Sequence, residues 1–192
     1  MSYLANRFTV FLDANVLFSN RKRDLLLSFG EYGLCRVRWS EDVEHEWTEN
    51  LKVKRPDLIE KIPALVAKMN TAFPEANVSG YEQLSASLKL PDPNDLHVLA
   101  AAIRCGAQII VTDNLRDFPN DYLAEFDLEA LTADHFLTSA LDLFPYDGLQ
   151  AVKAVRERLK DPSISRSAFV MDLAAKGLPL LAASLRDKRD FI

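Results

Sequence analysis

Acidic side chains sit at the ends of apolar runs in four places along this chain. Asp13 closes the run at 8–12. Glu46 lies in a stretch that Ser40 opens. Asp92 and Asp95 flank Asn94, and Asp113 and Asp117 follow a run ending at Thr112. Taken singly, each has a plain reading: a turn residue, part of the solvated face formed with Glu41, Asp42, Glu44 and Glu49, or a helix cap that suits the dipole. Gathered together, they would have a chemistry. Close carboxylates repel one another, which raises their pKa values and costs stability. A divalent cation removes that conflict. Mg2+ prefers oxygen ligands and often uses only a few carboxylates plus substrate phosphate, and Mn2+ suits the same ligands. Such an ion activates a water and stabilises charge on a transferring phosphoryl group. It also lets an acidic site accept a polyanion. No Ser, Cys or His nucleophile system stands out, so metal-assisted hydrolysis fits these residues best.

The elements that must position the acids follow from patterning. The run 8–12 and the run 108–112 are dense in β-branched and aromatic residues, as in strands buried on both faces of a parallel sheet. Shorter strands are predicted at 34–39 and 128–131. Helices are predicted at 24–32, after the cap Ser40, over most of 56–73, at 94–105 with Gly106 as its stop, and at 133–143. This alternation predicts an α/β fold with a mostly parallel central sheet and helices on both faces. Ligands of such sheets bind beyond the carboxyl ends of the strands. Asp13 and the 113–117 loop should point there, and the helix at 94–105 would bring in Asp95.

The break at 145–148 (PYDG) divides the chain into a 1–146 domain and a helical extension at 147–192, with helices near 149–160, 165–176 and 179–188. The first part carries 14 Lys/Arg against 22 Asp/Glu, and the second 9 against 6. A net charge of −5 argues against a protein that coats nucleic acid by bulk electrostatics, but not against a metal-using enzyme that acts on it. Cys35 and Cys105 form no pair or metal-type spacing and read as reduced thiols. The start of the chain has no signal-peptide pattern. No apolar run approaches the ~18–20 residues of a membrane span. A cytoplasmic location is expected.

At this point the residues resemble a known family. Four motifs occur in order: 10–17 (VFLDANVL), 40–47 (SEDVEHEW, with Leu51 after it), 90–102 (LPDPNDLHVLAAA) and 109–118 (IIVTDNLRDF). Together they resemble the PIN-domain nucleases, and among these the VapC-like toxins of bacterial toxin–antitoxin pairs, over about 8–136. The resemblance implies a PIN-like fold and an endoribonuclease with Asp13, Glu46 and Asp95 as central catalytic and metal-binding acids. It also implies Asp92 as an accessory ligand, and Asn15 and Thr112 as residues that orient the ligands. Many relatives have an acid where this chain has Asn114. Asp117, or else Asp113, takes that place, and Asn114 itself can ligate only through a neutral carbonyl. An RNA substrate, a cognate antitoxin and a homodimer are implied in the same way.

Arg21, Lys22, Arg23 and Arg116, with Lys52, Lys54 and Arg55, are candidates to hold a nucleic-acid backbone, and solvated charge accounts for each equally well. His97 stands two residues from Asp95, which predicts a different helix face and a packing or surface role. His45 and His135 read the same way, and Trp39 and Trp47 read as core or interface. The extension reads as an interaction module. Other readings are a housekeeping nuclease, an inactive PIN-like binding domain, and a phosphatase built on Asp13. The last would want an acid at position 15, where Asn15 stands.

Overall fold

A computed structural model describes residues 8–160 and 162–192. The first seven residues, where no signal-peptide pattern was found, lie outside the described residues, as does Asp161. In chain order the elements are β1 (Thr9–Leu12), α1 (Ala14–Phe18), α2 (Asn20–Glu31), β2 (Arg36–Ser40), α3 (Glu41–Lys54), α4 (Ile62–Ala72), β3 (Asn77–Val78), α5 (Glu82–Ser85), α6 (Leu96–Arg104), β4 (Ile109–Val111), α7 (Asn120–Leu123), β5 (Glu129–Leu131), α8 (Ala133–Leu143), α9 (Pro145–Arg158), α10 (Arg166–Ala175) and α11 (Pro179–Leu185). No helix among the described residues is long and apolar enough to cross a membrane. They form two compact units: one of residues up to Phe18 with Arg36–Leu131, the other of Ser19–Cys35 with Thr132–Ile192.

The first unit is built on a five-stranded, all-parallel sheet in the order β3-β2-β1-β4-β5. Val10, Phe11 and Leu12 are fully buried, and because successive side chains point to opposite faces, both faces of β1 are covered. The parallel fold expected from the two apolar runs is therefore present. The chain leaves β1 for β2 and β3 on one side, then crosses to β4 and β5 on the other. That reversal makes the carboxyl end of β1 a switch point. Asp13 and Thr112 stand there, one residue past β1 and β4, with the Asp13 N–H bonded to the Val111 carbonyl at 3.1 Å. Ser40 ends β2 and caps α3, its hydroxyl accepting from the Val43 N–H at 3.3 Å. Trp39 and Trp47 are fully buried, as their core reading expected.

The sequence reading missed three elements here, the single turn α7 among them. β3 is a two-residue edge strand with too short a pattern to detect. α1 begins directly after Asp13, whose carboxylate accepts the Ala14 N–H at 2.6 Å, so Asp13 is the one residue between strand and helix. The helix expected at 94–105 is divided: Pro93–Asp95 is a 3-10 turn, and α6 follows.

The second unit is helical. α2 packs on α8 and α9, and α11 packs on α8 and α10, around Leu25, Leu26, Phe29, Leu137, Leu141 and Phe169. A Cβ at Gly148 would stand 2.7 Å from Leu141 Cδ1, so glycine is what lets α9 approach α8. This unit reaches back across the 146/147 division read from the sequence, since α2 and α8 share its core with the later helices.

Asp134 is buried, and its two carboxylate oxygens accept the Leu180 and Leu181 N–H groups at the start of α11, both at 2.9 Å. A charged acceptor satisfies otherwise orphaned donors and complements the helix dipole. Asp134→Ala is expected to lower unfolding free energy by about 3 kcal/mol in denaturant titrations, from two charge-assisted bonds in a buried setting. A loss below about 0.5 kcal/mol, the level of ordinary surface changes, would show that the contact does little.

Candidate active site

Asp13 is buried and held from three sides. Its Oδ1 accepts the Ala14 N–H at 2.6 Å, and its Oδ2 accepts the Asn15 amide at 2.6 Å and the Thr112 hydroxyl at 2.7 Å. Asn15 also donates to Thr112 Oγ1 at 2.9 Å, while its own Oδ1 accepts the Asp113 N–H at 3.0 Å. The β1 and β4 ends are thus knitted together through Asp13, Asn15 and Thr112. Even so, burial pushes the Asp13 carboxyl up to about 6. The Thr112 and Ala14 bonds pull it back, and Glu46 and Asp113 push it further up.

Asp92, Asp95 and Asp117 each offer an oxygen within 4.8 Å of the others. The 3-10 turn Pro93–Asp95 brings the first two together, and the loop after β4 supplies the third. Asp95 is also pushed up to about 6, by burial first and then by the charges of Asp13, Asp92 and Asp117. Glu46, on α3, is raised by burial and by Asp95. Asp117 moves the other way: the Asn114 amide, which donates to it at 2.6 Å, and the Arg116 guanidinium hold its carboxyl below the usual range. Acids from distant parts of the sequence therefore bear on three of these groups: Asp13, Asp92 and Asp117 on Asp95, Asp95 on Glu46, and Glu46 on Asp13. Asp113 is exposed and contributes its backbone N–H to Asn15.

One observation tests whether a cation fits. Asp95 Oδ2 is buried and has no hydrogen-bond partner among the described residues. A carboxylate oxygen so placed is costly unless something positive reaches it. Donors already serve Asp13, but none serves this oxygen. All-oxygen ligands of this kind suit a hard divalent ion of the Mg2+ or Mn2+ class. Asn114 has a concrete part, orienting Asp117 through its amide rather than supplying charge.

The basic candidates separate by position. Arg21 and Arg23 are buried in the second unit. Arg21 bonds Asp172 at 2.7 Å and lies over the Phe169 ring, 5.3 Å from its centroid. The expectation that these two hold a nucleic-acid backbone is corrected: helix α2 begins at Asn20, earlier than read, and turns both side chains inward. Lys22 lies in the same unit with its ammonium near Gly177. Arg116 is exposed beside Asp117, at 3.3 Å. His97 is partly buried, in keeping with a packing role, and its Nε2 lies 3.7 Å from Glu46 Oε2 on α3. Burial lowers the pKa of its ring, which keeps it neutral near pH 7. Sequence reasoning also passed over Phe18 and Asn50, which with Ala14, Asn15, Glu46 and Lys54 line a pocket of about 220 Å3. The spacing 46, 50, 54 along one helix face was the available signal.

A parallel sheet with acids gathered near the ends of β1 and β4 is the arrangement that the resemblance of the motifs led one to expect. Residues 9–116 match the PIN domain, and the chain belongs to that family. Residues 133–187 match the VapC50 C-terminal domain, from the first residue of α8. The chain is 35% identical over 118 residues to a Mycobacterium tuberculosis (strain ATCC 25618 / H37Rv) protein named "Putative ribonuclease VapC50". That stretch is 62% of this chain and 66% of the relative, so it spans just under two thirds of the relative's length. No solved structure matches the chain at a significant level.

Proposed function

We propose that this chain is a divalent-metal-dependent endoribonuclease, the toxin of a toxin–antitoxin pair, which hydrolyses RNA phosphodiester bonds at the acidic centre of its first unit. The observation that carries the reading is the buried, unpartnered Asp95 Oδ2 among four further acids. Family membership and the relative's name as a ribonuclease support RNA as the substrate. Asp95, Asp92, Asp117 and Asp13 would hold the ion, with Glu46 at the rim. A bound Mg2+ or Mn2+ supplies charge neutralisation for the phosphodiester and the acidity that makes water a nucleophile at neutral pH.

The chain's own residues supply the rest. Thr112 and Asn15 fix the Asp13 carboxylate, and Asn114 fixes Asp117, so the ligands meet the ion without reorganising. Glu46 is half-exposed with a raised carboxyl, placed to take a proton from an attacking water at Oε1 or Oε2. In this step water oxygen bonds to phosphorus, the proton goes to Glu46, and the phosphorus–oxygen ester bond breaks with its electron pair on the ribose oxygen, which takes a proton from solvent. A cognate antitoxin that silences the enzyme, a homodimer and a cytoplasmic setting belong to the same proposal.

Incubation of mixed RNA with Mg2+, Mn2+ or EDTA tests the reading. Cleavage is expected with either ion and not with chelator. Equal activity in EDTA would overturn the metal mechanism, and no cleavage of any RNA would overturn the enzyme assignment.

A further inference from the structure

The pocket beside the acids lies wholly within the first unit. Its α3 wall presents Glu46, Asn50 and Lys54, four residues apart, in a single row on the helix. At 1.5 Å of rise per residue, Lys54 stands about 12 Å along the axis from Glu46. The row therefore runs from a carboxylate through an amide to an ammonium. Its α1 wall presents Asn15, which bonds Asp13, and the half-buried ring of Phe18. At about 220 Å3 the space is smaller than the ~300–1,000 Å3 of ordinary ligand sites, so it suits one planar ring rather than a whole cofactor.

Lys54 differs from its neighbours. Lys52 is paired with Glu49, and Arg55 with Asp57, while among the described residues no acidic side chain is paired with Lys54. Of the other cations read from the sequence, Arg21 is paired with Asp172 and Arg116 with Asp117, and Arg23 is buried in the second unit. A polyanion approaching an acidic centre needs a cation that does not depend on the bound ion, and Lys54 is positioned to be it. An aromatic face stacks on any base, and an amide bonds base edges through both its donor and its acceptor.

We propose that Phe18, Asn50 and Lys54 form a substrate-positioning subsite for one nucleotide of single-stranded RNA next to the scissile bond. Lys54 neutralises a flanking phosphate, Phe18 stacks the base, and Asn50 bonds its edge. This inference rests on the ribonuclease reading above.

The test compares the full chain with Lys54→Gln, Lys54→Arg and, as a control on the exposed face of α4, Lys68→Gln. The readouts are Mg2+-dependent cleavage of a single-stranded RNA oligonucleotide and binding of the same RNA with a label, over a salt series. Lys54→Gln is expected to raise KM roughly tenfold with kcat changed less than about twofold, as suits a phosphate contact remote from the reacting atoms. The slope of log affinity against log salt should fall by about 0.7, the share of one single-strand phosphate contact. Lys54→Arg should restore both, and Lys68→Gln should change neither. Asn50→Ala should alter base preference at one position, which Lys54→Gln should not. A Lys54→Gln protein with wild-type KM and salt slope would overturn the subsite. If wild type cleaves no RNA, the ribonuclease reading falls, and the salt slope of binding still decides the subsite.

Discussion

Asp13→Asn is expected to lower kcat for RNA cleavage by at least about 1,000-fold, the scale of losing a group that acts directly on the reacting charge. The side chain is nearly isosteric, but its surroundings fit only a carboxylate. Asp13 Oδ1 and Oδ2 accept three bonds, from Ala14, Asn15 and Thr112. An amide nitrogen at Oδ2 would face the Asn15 donor, and Asn15 cannot turn without giving up its bond from the Asp113 N–H. The substitution removes a charge and misdirects the residues that hold it. Expression of wild type should arrest growth, while Asp13→Asn should be tolerated. Retention of more than a tenth of the activity would show that Asp13 is only a structural turn residue.

Asp95→Asn is expected to do two opposite things: stabilise the metal-free protein and abolish its response to metal. The Asp95 carboxyl is raised to about 6 by burial and by three other acids. A carboxyl whose folded pKa lies above its unfolded value binds protons more tightly when folded. Its ionisation therefore costs stability, a cost absent below about pH 4, growing as pH rises from there through 6, and complete above. Asp13 adds a cost of the same sign over the same window. Metal-free protein should accordingly gain stability from pH 7.5 to pH 5, against the usual trend. Discounted for its partly open position, relief of the Asp95 charge is worth about 1 kcal/mol, or roughly 2–4 °C in Tm. Wild type should gain about 2.7 kcal/mol with Mn2+ at a hundred times its Kd, and Asp95→Asn should gain almost none. If both proteins respond equally to Mn2+, the ion is not bound at Asp95.

Much of the fold could be read from residue order because the signals were local. The runs closed by Asp13 and Thr112, the Ser40 cap and the amphipathic stretch 133–143 carry their own periodicity, and each lies where expected. β3 carried too little pattern, at two residues. The second unit was misjudged for a different reason. A basic triplet at 21–23 looks solvated until Asp172, 151 positions away, takes the charge of Arg21. The acids could be named because strand ends and a helix start are local features. Their mutual spacing depends on sheet order, and the closest set is Asp92, Asp95 and Asp117 rather than the central trio alone. The nearness of His97 to Glu46 is a contact between α6 and α3, which no local pattern carries.

Anomalous diffraction from crystals of the full chain grown with Mn2+ tests the account where it is most exposed. The predicted result is a peak in ligand contact with Asp95 and at least one of Asp13, Asp92 and Asp117, absent from Asp95→Asn crystals. Saturating Mn2+ with no peak there, or carboxyl groups of Asp13, Glu46 and Asp95 turned to separate surfaces, would contradict it.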